Sequence, residues 1–177
     1  MPIERPNAGG DIPLDDDSLA RIGLAVVYEG NAKSVAGLAL RALRSWDLDR
    51  WKRLEREPFG AIMRKLRISV NELDDGELSA RFADLESAIS EHHDIRHMIV
   101  HVAWGFGGDG FIGYDYGRAR EVTAGDIEDA VRGCAEIRRA ASWFTMRVAN
   151  LVEEGVLPER TESVGAKIKT EKGSVRL

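Results

Sequence analysis

Residues 77–103 read ELSARFADLESAISEHHDIRHMIVHVA. Leu78, Phe82, Leu85 and Ile89 recur at three- and four-residue spacing, the period of one helix face. Neither Gly nor Pro interrupts the run, so the pattern predicts a helix from Glu77 to about Ala103. This helix carries every histidine of the chain: His92, His93, His97 and His101. At ~100° of turn per residue, Ile95, Met98, Ile99 and Val102 share one face, which marks the buried side. His93, His97 and His101 then form a row on the opposite side, with Arg96 on one flank and Asp94 on the other. Solvated helix faces are ordinarily built of Glu, Lys and Arg. Three histidines beside an arginine instead combine proton exchange near neutral pH with a guanidinium suited to phosphate or carboxylate.

Working outward, the same helical period governs most of the chain. Leu19, Ile22, Val26, Val35, Leu38 and Leu43 predict one long helix, or two broken near Gly30. A short segment around Trp46, Leu48 and Trp51 follows. Pro58 suits the first turn of a helix in which Phe59, Ile62, Met63 and Leu66 repeat, and Asn71 to Gly76 reads as its turn. Thr123, with Asp126 three residues on, reads as a capping start. The stripe Ile127, Val131, Cys134, Ile137, Ala141, Phe144, Val148 and Leu151 then carries a last long helix to Gly155. Between the histidine helix and this one, glycines alternate with Trp104, Phe106, Phe111, Ile112, Tyr114 and Tyr116. That is the chemistry of a short β-hairpin or loop insertion, with Asp109-Gly110 at its turn. The expected fold is all-α, a bundle of about five helices.

The 177-residue length suits a single core. The domain is expected over residues 14–156, flanked by disordered tails at 1–13 and 157–177, which are polar and carry little to bury. No run approaches the ~20 apolar residues of a membrane span, and the first residues lack a secretory signal's apolar core, so a cytoplasmic location away from membranes is expected. The lone Cys134 offers neither an intramolecular disulfide nor a cysteine metal cage. A net charge of -5 disfavours indiscriminate polyanion binding. Yet Arg41, Arg44, Arg50, Lys52, Arg53, Arg56, Arg64, Lys65 and Arg67 crowd residues 41–67, which leaves room for a basic face on an acidic protein.

Two motifs invite chemical readings. Gly105-Phe106-Gly107-Gly108-Asp109-Gly110 spells a dinucleotide-binding string, but that motif works between a strand and a helix N-terminus; here it follows a helix and reads as a turn. His93-Asp94-Ile95-Arg96-His97 is similar in form to the H-E-x-x-H zinc helix. Three histidines spaced along one straight helix cannot converge on one ion, so a metal held by His93 and His97 would need a ligand from elsewhere.

Arg96-His97-Met98-Ile99-Val100-His101 has the form Arg, then Asn, Asp or His, then three residues, then His. It resembles the signature of the HEPN superfamily, in which the motif lies on a late helix of an all-helical domain. The surroundings agree over residues 16 to 154: a long first helix, a helix led by Pro58-Phe59-Gly60, the motif helix, Trp104 just after it, and a long last helix. Relatives often carry Asn after the arginine and Gly after the histidine, where this chain has His97 and Val102.

The resemblance implies a metal-independent endoribonuclease or RNA-binding domain without a cofactor. It would act as a homodimer whose two motifs face one cleft, in a toxin or defence setting with an antitoxin partner. Arg96, His97 and His101 are then the catalytic candidates. Cleavage without metal can use the 2′-hydroxyl as nucleophile, with an acid and base for the protons and a cation for the phosphorane. His101 suits proton transfer and Arg96 the cation, while His97 suits either proton transfer or a phosphate hydrogen bond. Because Arg96 and His101 diverge by ~140° on one helix, two facing copies would pool their side chains. Two other readings stand beside this one. The first is a helical dimerisation or partner-binding module, with the motif in an interface network. The second is a metal-dependent hydrolase built on His93 and His97.

Overall fold

The computed structural model describes residues 16–100, 103–107, 110–115 and 118–157. In chain order these form α1 (Asp16–Leu43), α2 (Leu48–Leu54), α3 (Phe59–Leu73), α4 (Gly76–Glu91), α5 (His93–Val100), β1 (Ala103–Gly107), β2 (Gly110–Asp115), β3 (Arg118–Val122) and α6 (Ala124–Glu153). The fold is all-α in its core architecture, with six helices among the described residues.

Helix α1 runs unbroken through Gly23 and Gly30. Ala25, Ala32, Ala36 and Ala39 recur along its buried face, and these small side chains let it lie close along α6. The Thr145 hydroxyl of α6 donates to the Val35 carbonyl of α1 at 3.3 Å. The short Trp46 segment forms its own helix, α2, because the Asp47 side chain caps it by accepting from the Arg50 N–H at 2.7 Å. Helix α3 begins after Pro58 and ends where Asp74 takes φ 51°, so the expected turn from Asn71 shrinks to Asp74 and Asp75. Helix α4 also packs against α6, with the Phe82 and Phe144 rings 5.7 Å apart.

One core cluster fills the space among α1, α3, α4 and α6, with Leu40, Leu66, Leu85, Ile137 and Phe144 in its middle. Leu157, just past α6, is buried with it. The α6 start is the capping box expected from Thr123 and Asp126: the Asp126 N–H donates to Thr123 Oγ1, and the Thr123 N–H to Asp126 Oδ2. Arg41, grouped with the basic face in the sequence, is instead buried, its Nε donating to the Trp46 carbonyl and its guanidinium 5.7 Å from the Trp51 ring.

Two expectations are corrected. The helix from Glu77 does not run to Ala103: it is interrupted at His92, whose backbone takes φ -102°, ψ 12°. The cause is a tertiary contact of the His92 side chain, described below. In place of a short hairpin or loop, the backbone after α5 forms a three-stranded antiparallel sheet in the order β1-β2-β3, with Phe106 opposite Phe111 and Gly113 opposite Arg120. The third strand escaped the sequence reading because its Arg118, Arg120 and Glu121 carry no apolar alternation. The glycine string therefore lies across two paired strands, Gly107 opposite Gly110, with no helix opening behind it. Its Gly108 and Asp109 lie outside the described residues, as do the tail 1–13 and all of the tail 157–177 except Leu157, which belongs to the core rather than to a tail. Among those residues no helix is long and apolar enough to cross a membrane.

Candidate functional site

Two anchors set the position of α5. The first is apolar: Ile99, 1% exposed, packs with Val122, Ile127 and Ala130, and with Ile22 and Ile95 at the edge of this second, smaller cluster. Burying one such side chain is worth ~1.5–3 kcal/mol. The second is His92. Its ring lies on α6 over Gly133, where an added Cβ would stand 2.6 Å from the ring Cγ. Its Nε2 meets Glu136 Oε2 at 2.7 Å. A histidine drawn sideways into α6 turns its own backbone out of the helical path, which is why the run breaks there without Gly or Pro.

Beyond that break, the His93 and His97 rings stack in parallel, their centroids 6.1 Å apart and their planes 3° from one another. His93 is exposed and its Nδ1 meets Asp94 Oδ1 at 3.1 Å. The outward row is thus formed by these two residues. His101 and Val102 lie outside the described residues, as does the side chain of Met98, so the structure does not place the third member of the row.

Arg96 departs from the expected geometry. It does not flank the row in the open but lies on the buried side of α5, 9% exposed, where Nη1 donates to Glu29 Oε1 of α1 at 2.9 Å. Its Nε is buried without a hydrogen-bond acceptor among the described residues. The reason is the one-turn step from Arg96 to Ile99, which brings the arginine round toward α1 once Ile99 is seated. Cys134 of α6 registers the same neighbourhood: burial pushes its thiol up to about 11, the Glu29 charge adds to that rise, and Arg96 opposes it.

Two surface hollows meet at Arg96. One, of about 460 Å³, lies between α1 and the start of α3 and is lined by Val26, Glu29, Lys33, Phe59, Gly60, Arg96 and His97. The other, of about 480 Å³, lies between α3 and the α4–α5 junction and is lined by Phe59, Gly60, Arg64, Arg67, Glu86, His93 and Arg96. Both hollows share the first turn of α3. The Ala61 and Ile62 N–H groups of that turn donate to the Pro58 carbonyl; helix geometry leaves those of Phe59 and Gly60 without intrahelical carbonyls, and the N-cap residue Pro58 makes no side-chain cap bond. Around the two hollows, Lys33, Arg64, Arg67 and Arg96 stand with two imidazoles against the carboxylates Glu29 and Glu86. Of the cations, Arg96 is held by Glu29 and Arg67 by Glu86, while Lys33 donates to the Glu55 carbonyl. The arrangement can accept an anion of phosphate type over the α3 N-terminus, with imidazoles alongside for proton exchange. Among the described residues no three His, Cys, Asp or Glu side chains converge as a metal site would require.

The sequence reading missed Glu29 and His92. Glu29 had a signal: it sits four residues after Ala25 and three before Ala32, at helical spacing with that alanine face, so a carboxylate there must meet a cation. His92 had none, since its partners Gly133 and Glu136 are on another helix. Comparisons with family models, curated proteins and solved structures returned no match to this chain.

Proposed function

We propose that this chain binds single-stranded RNA along the paired hollows and cleaves it without metal, as a homodimer of HEPN type. The observation that supports this reading is the meeting of the two hollows at Arg96, between the stacked His93 and His97 and the uncapped start of α3. A phosphodiester seated there finds backbone N–H groups, exposed Arg64 and imidazole side chains within one groove. In this reading His101 exchanges protons with the 2′-oxygen or the leaving oxygen, and His97 shares that role or holds the phosphate. Arg96, oriented by Glu29, supplies charge from the floor. Leu19 and Val26, 50% and 46% exposed, lie seven residues apart on the groove side of α1 and give a second copy an apolar rim to dock against. A cytoplasmic toxin or defence role, with an antitoxin partner covering the groove, belongs to the same proposal.

The test is cleavage of labelled single-stranded RNA in excess chelator. Products should end in a cyclic phosphate, and His101→Ala should remove ~100-fold or more of the rate. Arg96→Lys should stay well below wild type, because lysine keeps the charge but loses the planar fork. Activity lost in chelator and restored by zinc would shift the assignment to a hydrolase built on His93 and His97. The burial of Arg96 against Glu29 favours a second reading, the partner-binding module with the motif retained for structure. Absence of cleavage by a folded dimer would select it.

A further inference from the structure

A third hollow, of about 380 Å³, opens on the other side of α3, lined by Arg44, Trp46, Arg50, Arg53, Leu54, Glu57, Lys65 and Ile68. Its cations differ in how they are held. Arg44 is tied to Glu72 at 2.9 Å and to the Ser69 hydroxyl, and Lys65 is paired with Glu57. Arg50 and Arg53 are exposed and make no ion pair among the described residues. The Arg50 guanidinium instead lies over the Trp46 ring, 4.4 Å from its centroid, with the Lys65 ammonium 6.0 Å from the same centroid. In a chain of net charge -5, two exposed arginines beside a half-buried indole are a local concentration of charge, not a general trend.

We propose that this hollow is a second contact for single-stranded RNA, separate from the motif groove. Here a base extends the Trp46–Arg50 stack while Arg50 and Arg53 neutralise phosphates. Base stacking on aromatic and guanidinium planes beside a cationic path is how single strands are held without reading their sequence. The placement fits a strand that continues into the motif groove. Helix α3 presents Lys65 and Ile68 to this hollow and Arg64 and Arg67 to the groove behind it. Crossing a helix ~10–12 Å wide takes about three nucleotides at the ~3.4 Å spacing of a stacked strand. Exposed Arg64 stands on the ridge between the two.

The proposal rests on the RNA reading above, and the experiment separates the two. Binding of a fluorescein-labelled 12-nucleotide RNA is followed by anisotropy in chelator, from low to moderate salt, while cleavage is scored apart on the same samples. Arg50→Glu with Arg53→Glu, two exposed changes, should weaken binding at least tenfold. Arg50→Ala with Arg53→Ala should lower the slope of log affinity against log salt by about 1.4, from roughly 0.7 per lost phosphate contact. Arg50→Lys should keep the slope but lose affinity severalfold, because a lysine does not stack as a plane. Unchanged affinity and slope in the double variants would overturn the proposal even if the protein cuts RNA. Equal competition by poly-glutamate would overturn it as well, by showing attraction to acid alone. Arg50-dependent binding without any cleavage would uphold it and remove the nuclease.

Discussion

Replacing Gly133 by alanine tests whether the break at His92 is held by the α6 contact. In a helix interior this change alone should stabilise, since alanine is favoured over glycine by ~0.8–1 kcal/mol. Here the new Cβ would fall 2.6 Å from Cγ of His92 and 2.8 Å from both its Cβ and its Nδ1, closer than carbon atoms approach without displacement. The ring cannot simply swing away, because its side chain is 15% exposed and its Nε2 is held by Glu136. Two responses are open: strain with the ring in place, ~1–3 kcal/mol, or displacement with loss of the Glu136 bond, ~1–3 kcal/mol. After subtracting the propensity gain, Gly133→Ala should destabilise by about 1 kcal/mol, up to about 2. At ~2–4 °C per kcal/mol for a chain of this size, the thermal midpoint should fall by roughly 2–8 °C. Urea unfolding followed by circular dichroism measures this, and the double-mutant cycle with His92→Ala isolates the contact. Adding Gly133→Ala to a His92→Ala background should be neutral or stabilising, because the obstacle is gone. A single Gly133→Ala that raises the midpoint would refute the seating of His92 on α6 and, with it, the stated cause of the helix break.

Two further outcomes follow from buried or bridging charge. Glu29→Gln leaves Arg96 inside the protein without its anion, so urea unfolding should show a loss of roughly 3–5 kcal/mol. A loss under 1 kcal/mol would mean that Arg96 leaves the interior at little cost. Asp75 caps α4 by accepting from the Leu78 N–H and meets Arg147 of α6 at 2.7 Å; the Arg147 hydrogen bond, then the Leu78 bond, hold its carboxyl below the usual carboxylate range. A depressed native value makes this stabilisation present above the unfolded value, near 3.8, and lost as pH falls through the native one. Asp75→Asn keeps a capping side chain, so its thermal midpoint should lie below wild type at pH 7 and converge with it in acid; a gap that does not narrow as pH falls below 3.8 would refute the ionic origin.

The parts of the fold legible in the sequence are those where one local pattern decides the outcome. The stripe from Ile127 to Leu151 and the Thr123 capping box needed only helical period and cap chemistry, and both are present. The motif helix shows where such reading stops. Its stripe Leu78, Phe82 and Leu85 is buried as the period requires, but a period extends until a Gly or Pro halts it, and the halt at His92 comes from a glycine forty-one positions away. The same limit applies to Arg96. A helical wheel ranks residues by angle and assumes that a charged side chain seeks water, so it left Arg96 on an open flank. Inside the protein the assumption is reversed by one residue: with Glu29 on the alanine face of α1, burial of Arg96 satisfies a carboxylate that would otherwise be stranded. The pair could have been found by asking which cation answers the carboxylate on that alanine face. The candidate site then follows from packing: Ile99 seats α5, Glu29 fixes Arg96, and His93 and His97 are left stacked at the lip of the hollows that Arg96 joins.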